Sequence, residues 1–302
     1  MSLEFDMSFE DSHGQPVEIA PGLMRLTANN PSPFTFRGTN SYVVGTDTLA
    51  VIDPGPAGDE RHLDALMAAI AGRPVSHIVV THSHADHSPL AAPLKAATGA
   101  EIWAEGPNRT ARPLTGDGEA QLEAGGDAGF APDRPVGEGE VIEGDGWRLE
   151  TVLTPGHAAN HACFALSGTG YLFSGDHVMG WSTTVVSPPG GSMADYMASL
   201  DRLIAREDRI LLPGHGNPVT NPQAFMRGLR THRRMREMAI LDRIRKGDRR
   251  IAEMVAAIYR DIDPRLHRGA AFSVLAHLEM LVADGRVRAQ GVPSLDAIYE
   301  PA

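Results

Sequence analysis

Val75-Ser76-His77-Ile78-Val79-Val80-Thr81-His82-Ser83-His84-Ala85-Asp86-His87 opens as an apolar, β-branched run and closes as a dense set of imidazoles and a carboxylate. The first half has the composition of a buried strand, and a helical segment follows the second. His82, His84, Asp86 and His87 therefore fall within six residues on a loop at a strand end. Imidazole nitrogens and a carboxylate oxygen suit a borderline cation such as Zn²⁺. Alternate side chains on such a loop point toward two neighbouring ions, so the spacing favours a pair.

A pair of ions needs more ligands than this segment carries. Three later candidates each follow a strand-like run and a turn: His157 in Thr154-Pro155-Gly156-His157, Asp176 in Ser174-Gly175-Asp176, and His215 in Pro213-Gly214-His215-Gly216. A glycine beside each permits close backbone approach. Single histidines such as His62, His77 and His277 read as ordinary surface or hydrogen-bonded residues, a reading that serves the seven together poorly.

Outward from the motif, short β-branched runs alternate with turns and helical segments. Ser41 to Gly45, Leu49 to Gly55, Arg61 to Ala71 and Val75 to Thr81 give a strand, strand, helix, strand order. A similar order returns with Trp147 to Leu153, His161 to Leu166, Tyr171 to Ser174, a helix from Met193 to Ala205, and Ile210 to Pro213. Two such halves can face each other. Pro113 to Gly146, rich in Gly, Pro, Asp and Glu, reads as a surface excursion between them. From Pro222 the pattern turns helical, with Met235, Met238, Leu241 and Ile244 at intervals of three, then Ile251, Val255 and Ile258, then Val274, Leu275, Leu278, Leu281 and Val282. Asp284-Gly285 ends the third helix, and Arg286 to Val292 reads as a hairpin or wing. The expected division is a catalytic domain over 1–225 and a winged-helix domain over 226–302.

Length and composition agree with one large domain plus a small one: 302 residues, 42 % hydrophobic and 22 % charged. Cys163 is the only cysteine and sits in an apolar run, so it reads as a small buried hydrophobe and excludes an intrachain disulfide. The acidic start, MSLEFDMSFEDSHG, lacks the basic-then-apolar order of a signal peptide, and no apolar run approaches the ~18 residues that span a bilayer. The expectation is a cytoplasmic protein with no membrane partner. Between Phe225 and Arg250, ten Arg or Lys face three acids (Glu237, Asp242, Asp248), a balance of +7 that leaves −18 for the rest of a chain of net charge −11. That segment is either a solvated helix face or a nucleic-acid contact.

His82, His84, Asp86, His87, His157, Asp176 and His215 together resemble, in order, the metal-ligand pattern of the metallo-β-lactamase superfamily, over roughly Pro21 to His215. Pro33-Phe34-Thr35-Phe36-Arg37-Gly38-Thr39-Asn40-Ser41-Tyr42, Ser174-Gly175-Asp176-His177 and the C-terminal winged helix resemble its lactamase-β-2, endoribonuclease-like group. The resemblance implies an α+β fold, an αββα sandwich with a small winged-helix domain. It implies that His82, His84 and His157 hold one metal, that Asp86, His87 and His215 hold the other, and that Asp176 bridges them, with Asp53 supporting the ligands from behind. The expected cofactors are two divalent ions, Zn²⁺ first, with Fe or Mn as alternatives.

Two such ions would make a shared water acidic near neutrality and polarise a substrate oxygen. Asp86 would orient that water or serve as a ligand only, and is one catalytic candidate. His161 is the other; it and His177 lie four and one residues from expected ligands, where they contact substrate or support a ligand by hydrogen bonding. Thr183, Thr184, Tyr196, Asn40 and Phe36 are weaker candidates for lining a pocket. An antibiotic-degrading lactamase is disfavoured, since those enzymes are exported and their zinc forms usually place cysteine where Asp176 stands. The first expectation for substrate is single-stranded RNA, hydrolysed at phosphodiesters. The alternatives are a thioester or ester hydrolase of the glyoxalase II type, acting on a small molecule, and a nucleic-acid-binding protein with structural metals. Iron-dependent oxygenases and flavoprotein reductases share the scaffold, and a homodimer is a further expectation.

Overall fold

Strands as short as these cannot bury two apolar faces alone, so they stack as sheets and cover the outer faces with helices. In the computed structural model, which describes residues 3–9, 12–113, 125–260 and 267–302, the first sheet follows chain order. It contains β1 (Val17–Ala20), β2 (Leu23–Thr27), β3 (Asn40–Val44), β4 (Leu49–Ile52), β5 (Val75–Val79), β6 (Glu101–Ala104) and β7 (Arg134–Pro135). Neighbours are antiparallel up to β4 and parallel from there on. Parallel neighbours need crossovers, supplied by α1 (Glu60–Ile70) before β5 and α2 (Ala91–Thr98) before β6.

The second sheet contains β8 (Val141–Gly144), β9 (Trp147–Leu153), β10 (Ala162–Leu166), β11 (Tyr171–Gly175) and β12 (Ile210–Pro213), in the spatial order β12-β11-β10-β9-β8. Its one parallel pair, β11 and β12, is bridged by α3 (Met193–Ile204). Tyr42, Ile52, Val79, Phe164, Phe173 and Leu212 fill the space between the sheets, with the Tyr42 and Phe173 rings edge-on at 5.1 Å. Leu66 of α1 and Leu94 of α2 cover Val51 and Ile78 on one outer face. Leu200 and Leu203 of α3 cover Cys163, Leu172 and Leu211 on the other. β4 is buried on both faces, which is why Leu49-Ala50-Val51-Ile52 reads as a continuous apolar run instead of an alternation. The layers are helix, sheet, sheet, helix, as the resemblance implies.

The C-terminal part consists of α4 (Pro222–Arg245), α5 (Ile251–Ile258), α6 (His267–Ala283) and the antiparallel pair β13 (Val287–Ala289) and β14 (Tyr299–Pro301). Ile240, Ile244, Met254, Leu275, Leu278 and Tyr299 form its own core. α4 runs unbroken through residues 225 and 226: Met226 and Leu229 pack on the second sheet, Ile240 and Ile244 in the small core.

The helix expected from Pro222 forms as α4, though its apolar series does not all face inward, and one expectation is corrected. Met235 and Met238 are 60 % and 59 % exposed, while α4 buries Met226, Leu229, Arg233, Ile240 and Ile244. A strict interval of three rotates by about 60° at each step and cannot stay on one face, whereas mixed steps of three and four can. Within Pro113 to Gly146, residues 114–124 lie outside the described residues. The remainder is more than a surface excursion: it supplies β7 and β8 and buries Phe130, Val136 and Ile142. Cys163 is a free, buried thiol, pushed up to about 12 by burial. No helix among the described residues is long and apolar enough to cross a membrane.

Gly156 ties the fold to the His157 loop. Its φ is +143°, and a Cβ there would lie 2.3 Å from the Tyr196 Cα on α3, a backbone atom that cannot swing away. Gly156→Ala is expected to lower stability by about 3 kcal/mol, read from the urea midpoint. An unchanged midpoint would contradict this packing of the loop on α3.

Candidate metal centre

β4 and β5 run parallel, as do β11 and β12, and β9 shares the direction of β11 because both are antiparallel to β10. Each sheet therefore releases its loops at the carboxyl ends of these strands. Asp53 follows β4, residues 81–87 follow β5, His157 follows β9, Asp176 follows β11 and His215 follows β12. Asn40 locks the two ends together, its side-chain amide donating to the Pro213 and Gly216 carbonyls (3.1 and 2.9 Å).

Ligand-type atoms converge there in three sets, each within 4.8 Å of one another: His82, His84 and His157; Asp86, His87 and His215; and His82, His87 and Asp176. His84 Nδ1 lies 3.1 Å from His82 Nε2 and 2.9 Å from His157 Nε2. His215 Nε2 lies 3.2 Å from Asp86 Oδ2 and 3.3 Å from Asp176 Oδ2. His87 Nε2 lies 3.3 Å from Asp86 Oδ2 and 3.5 Å from Asp176 Oδ1.

The far nitrogens settle which ring atoms face inward. Asp53, turned by a left-handed φ of 50°, accepts from the Thr81 N–H (2.7 Å) and hydroxyl (2.8 Å) and from His87 Nδ1 (2.9 Å). Since the Thr81 hydroxyl donates to Asp53, its oxygen accepts from His82 Nδ1 (3.0 Å). His157 Nδ1 donates to the Val185 carbonyl (2.6 Å) and His215 Nδ1 to the Gly38 carbonyl (3.0 Å). Four imidazoles thus keep Nε2 for the centre, the arrangement in which backing groups orient metal-binding rings.

The electrostatics divide the cluster. Burial lowers His82 well below the ordinary imidazole range, takes His84 to about 3, and lowers His157; these three rings are uncharged. Burial also acts on His215, but Asp176 and Asp86 outweigh it and raise it to about 10, and Asp86, Asp176 and Asp53 likewise raise His87. Burial would raise Asp86 and Asp176, yet the facing imidazoles His87 and His215 hold both below the carboxylate range. His87 Nε2, His215 Nε2 and Asp176 Oδ1 are buried with no aligned hydrogen bond to protein. Converging lone pairs and carboxylates around such atoms fit divalent cations, which satisfy every group at once.

Behind the cluster, His161 is 1 % exposed. Its Nε2 accepts from the Asp176 N–H (3.2 Å), so Nδ1 donates to the Thr154 hydroxyl (2.8 Å). It positions Asp176 and does not line the pocket. His177 is buried with its ring 4.6 Å from that of Tyr196. Thr184 donates to the Asp176 and His177 carbonyls (2.8 and 3.0 Å), and Phe36 stacks on Trp181 at 4.9 Å. Of Thr183, Thr184, Tyr196, Asn40 and Phe36, none lines the pocket; short polar residues beside ligands serve here as backbone clamps. His62 is buried and bonds Ser41 (2.8 Å), and His77 bonds Ser76 (2.8 Å). His277 departs from expectation, being buried with no protein hydrogen bond at either ring nitrogen among the described residues.

His84, Asp86, His157, Asp176 and His215 of the cluster line a cavity of about 450 Å³ whose walls include Phe34, Met179, Val185 and Phe272. Sequence reasoning missed Phe272, which α6 brings from the small domain. It missed Arg233 as well, buried on α4 and bonding the Thr184 carbonyl. Both depend on tertiary contacts that no local pattern announces.

Residues 34–215 match the model of the metallo-beta-lactamase superfamily and residues 251–292 that of the beta-lactamase associated winged helix domain. An atrochrysone carboxyl ACP thioesterase of Paecilomyces divaricatus is 30 % identical over 253 residues, 81 % of this chain and 72 % of that protein. A beta-lactamase-like protein 2 homolog of Caenorhabditis elegans is 28 % identical over 283 residues, 91 % and 90 % of the two chains. The crystal structure of a beta-lactamase domain protein from Burkholderia ambifaria superposes with a TM-score of 0.79 at 22 % identity, over 99 % of this chain and 97 % of that one, a likeness of fold.

In the metal-free protein the raised His87 and His215 carry protons at pH 7 that a cation at Nε2 must displace. Zinc affinity is therefore expected to rise with pH through neutrality and to weaken on acidification. Calorimetry at pH 7 in buffers of different ionisation enthalpy reads net proton release on zinc binding; identical heats in all buffers would contradict it.

Proposed function

Since the chain belongs to the metallo-β-lactamase superfamily, a family of hydrolases, we propose that it is a dinuclear metal-dependent hydrolase of thioesters. His82, His84 and His157 would hold one ion, Asp86, His87 and His215 the other, with Asp176 between them. Bound divalent cations, zinc first, supply an acidic water and a Lewis acid for the carbonyl oxygen. In the hydrolysis, water oxygen bonds to the acyl carbon, the carbon–sulfur bond breaks, and the sulfur leaves as a thiol. Asp86 is 26 % exposed at its side chain, lines the pocket and accepts from the Thr39 hydroxyl (3.2 Å). It is thus the carboxylate placed to take the proton that water gives up.

One observation carries the choice of a thioester over RNA: the cluster lies at the bottom of a cavity of about 450 Å³ with apolar walls, the size and character of a small-molecule site. The 30 % identical relative named a thioesterase supports it. Seven of the ten basic side chains between Phe225 and Arg250 are engaged within the protein. Arg230, Arg243 and Lys246 pair with Asp201, Asp248 and Asp242. Arg233 is buried, Arg236 lies over Tyr259, and Arg249 and Arg250 bond backbone carbonyls. No residue of 225–250 lines the cavity.

The test is turnover by metal-loaded protein and by Asp86→Ala on a panel of single-stranded RNA, an acyl thioester and a β-lactam. Metal-dependent thioester cleavage is expected, reduced ~100-fold or more in the variant. Cleavage of RNA with the thioester untouched would overturn the proposal.

A further inference from the structure

The C-terminal domain does more than pack beside the sandwich: the first turns of α6 form part of the cavity wall, through Arg268, Gly269 and Phe272. Arg268 and Phe272 are four residues apart, hence on one face of the helix. Phe34, Met179 and Val185 line the same cavity. Phe34 is itself 62 % exposed at this mouth, so an apolar ligand would cover it.

Arg268 is the only Lys or Arg among the described residues that line the cavity. It is exposed and makes no hydrogen bond or ion pair with any described residue. Other arginines that meet this helix or follow it are engaged: Arg112 pairs with Glu279 of α6 at 2.7 Å, and Arg286 pairs with Glu237. The carboxylates in the cavity, Asp86 and Asp176, face His87 and His215, and Arg268 bonds neither. A cavity-lining guanidinium that no described residue engages, in a protein of net charge −11, is placed for an anion that arrives with the substrate.

We infer that Arg268 and Phe272 make the C-terminal domain a specificity element, selecting substrates in which an apolar body links the scissile carbonyl to a second, anionic group, a carboxylate or a phosphate. The inference rests on the thioester reading for the reacting bond, but the anion subsite can be tested apart from it. In a thioester the anion can come from either side: a carboxylate on the acyl chain, or a phosphate on a pantetheine-type thiol.

The experiment measures binding of unreactive amide analogues, in which NH replaces sulfur, to zinc-loaded protein by calorimetry. The probes are the acetyl and succinyl amides derived from pantetheine and the acetyl amide derived from 4′-phosphopantetheine. At least one anionic analogue is expected to bind about tenfold tighter than the neutral one. Arg268→Met is expected to abolish that preference, and Arg268→Lys to keep most of it. The succinyl or the phosphate probe, whichever gains, identifies the side that carries the charge. Equal binding of neutral and anionic probes to the wild type, or an undiminished preference in Arg268→Met, overturns the inference. The matching thioesters are assayed in parallel: if they stay intact while the preference is present and lost in Arg268→Met, the thioester reading fails and the anion subsite stands.

Discussion

Lone pairs and carboxylates of like polarity converge where the two sheets meet, and the rest of the molecule is arranged to hold them there. His84 Nδ1 lies within 3.1 Å of two other imidazole nitrogens, more acceptors than its single proton can serve, and two buried carboxylates crowd His87 and His215; positive charge among them is what satisfies the set. Protons on His87 and His215 supply some of it in the metal-free protein; divalent cations would supply it for every group. Each sheet contributes ligand-type side chains, so the cluster also joins the halves.

Rigidity comes from the layer behind the ligands. Asp53 binds Thr81 and His87 at once, and the Val185 and Gly38 carbonyls fix His157 and His215. His161 and Thr184 hold Asp176 by its backbone. Arg233 reaches from α4 to the Thr184 carbonyl, which ties the C-terminal helices to the loop that carries Asp176. Phe272 of α6 walls the cavity itself. The small domain is thus connected to the centre from behind and from the mouth.

Much of this was legible from local pattern. Trp147 to Leu153 and Ile210 to Pro213 coincide with β9 and β12, because short runs with apolar residues at alternate or successive positions, closed by a turn, have few other uses. The seven ligand-type residues were legible because each lies just beyond a strand end, where parallel topology gathers loops. Illegible features depend on what lies opposite in space. His161 is near His157 in sequence, but only the turn between them shows that its ring faces Thr154 and the Asp176 N–H. Arg233 sits among nine other basic residues, and nothing local marks it as the buried one. Met235 and Met238 lie on the expected helix but face solvent, because an interval of three drifts around the axis and does not mark the buried side. Phe272 lies on a helix whose approach to the cavity is a property of domain packing.

Anomalous diffraction at the zinc edge, from crystals grown with zinc, tests the central claim most directly. Two peaks are predicted, one bonded to His82, His84 and His157, the other to Asp86, His87 and His215, with Asp176 reaching both. Zinc-loaded crystals with no peak among these side chains, or with the imidazoles turned away from one another, would contradict the account.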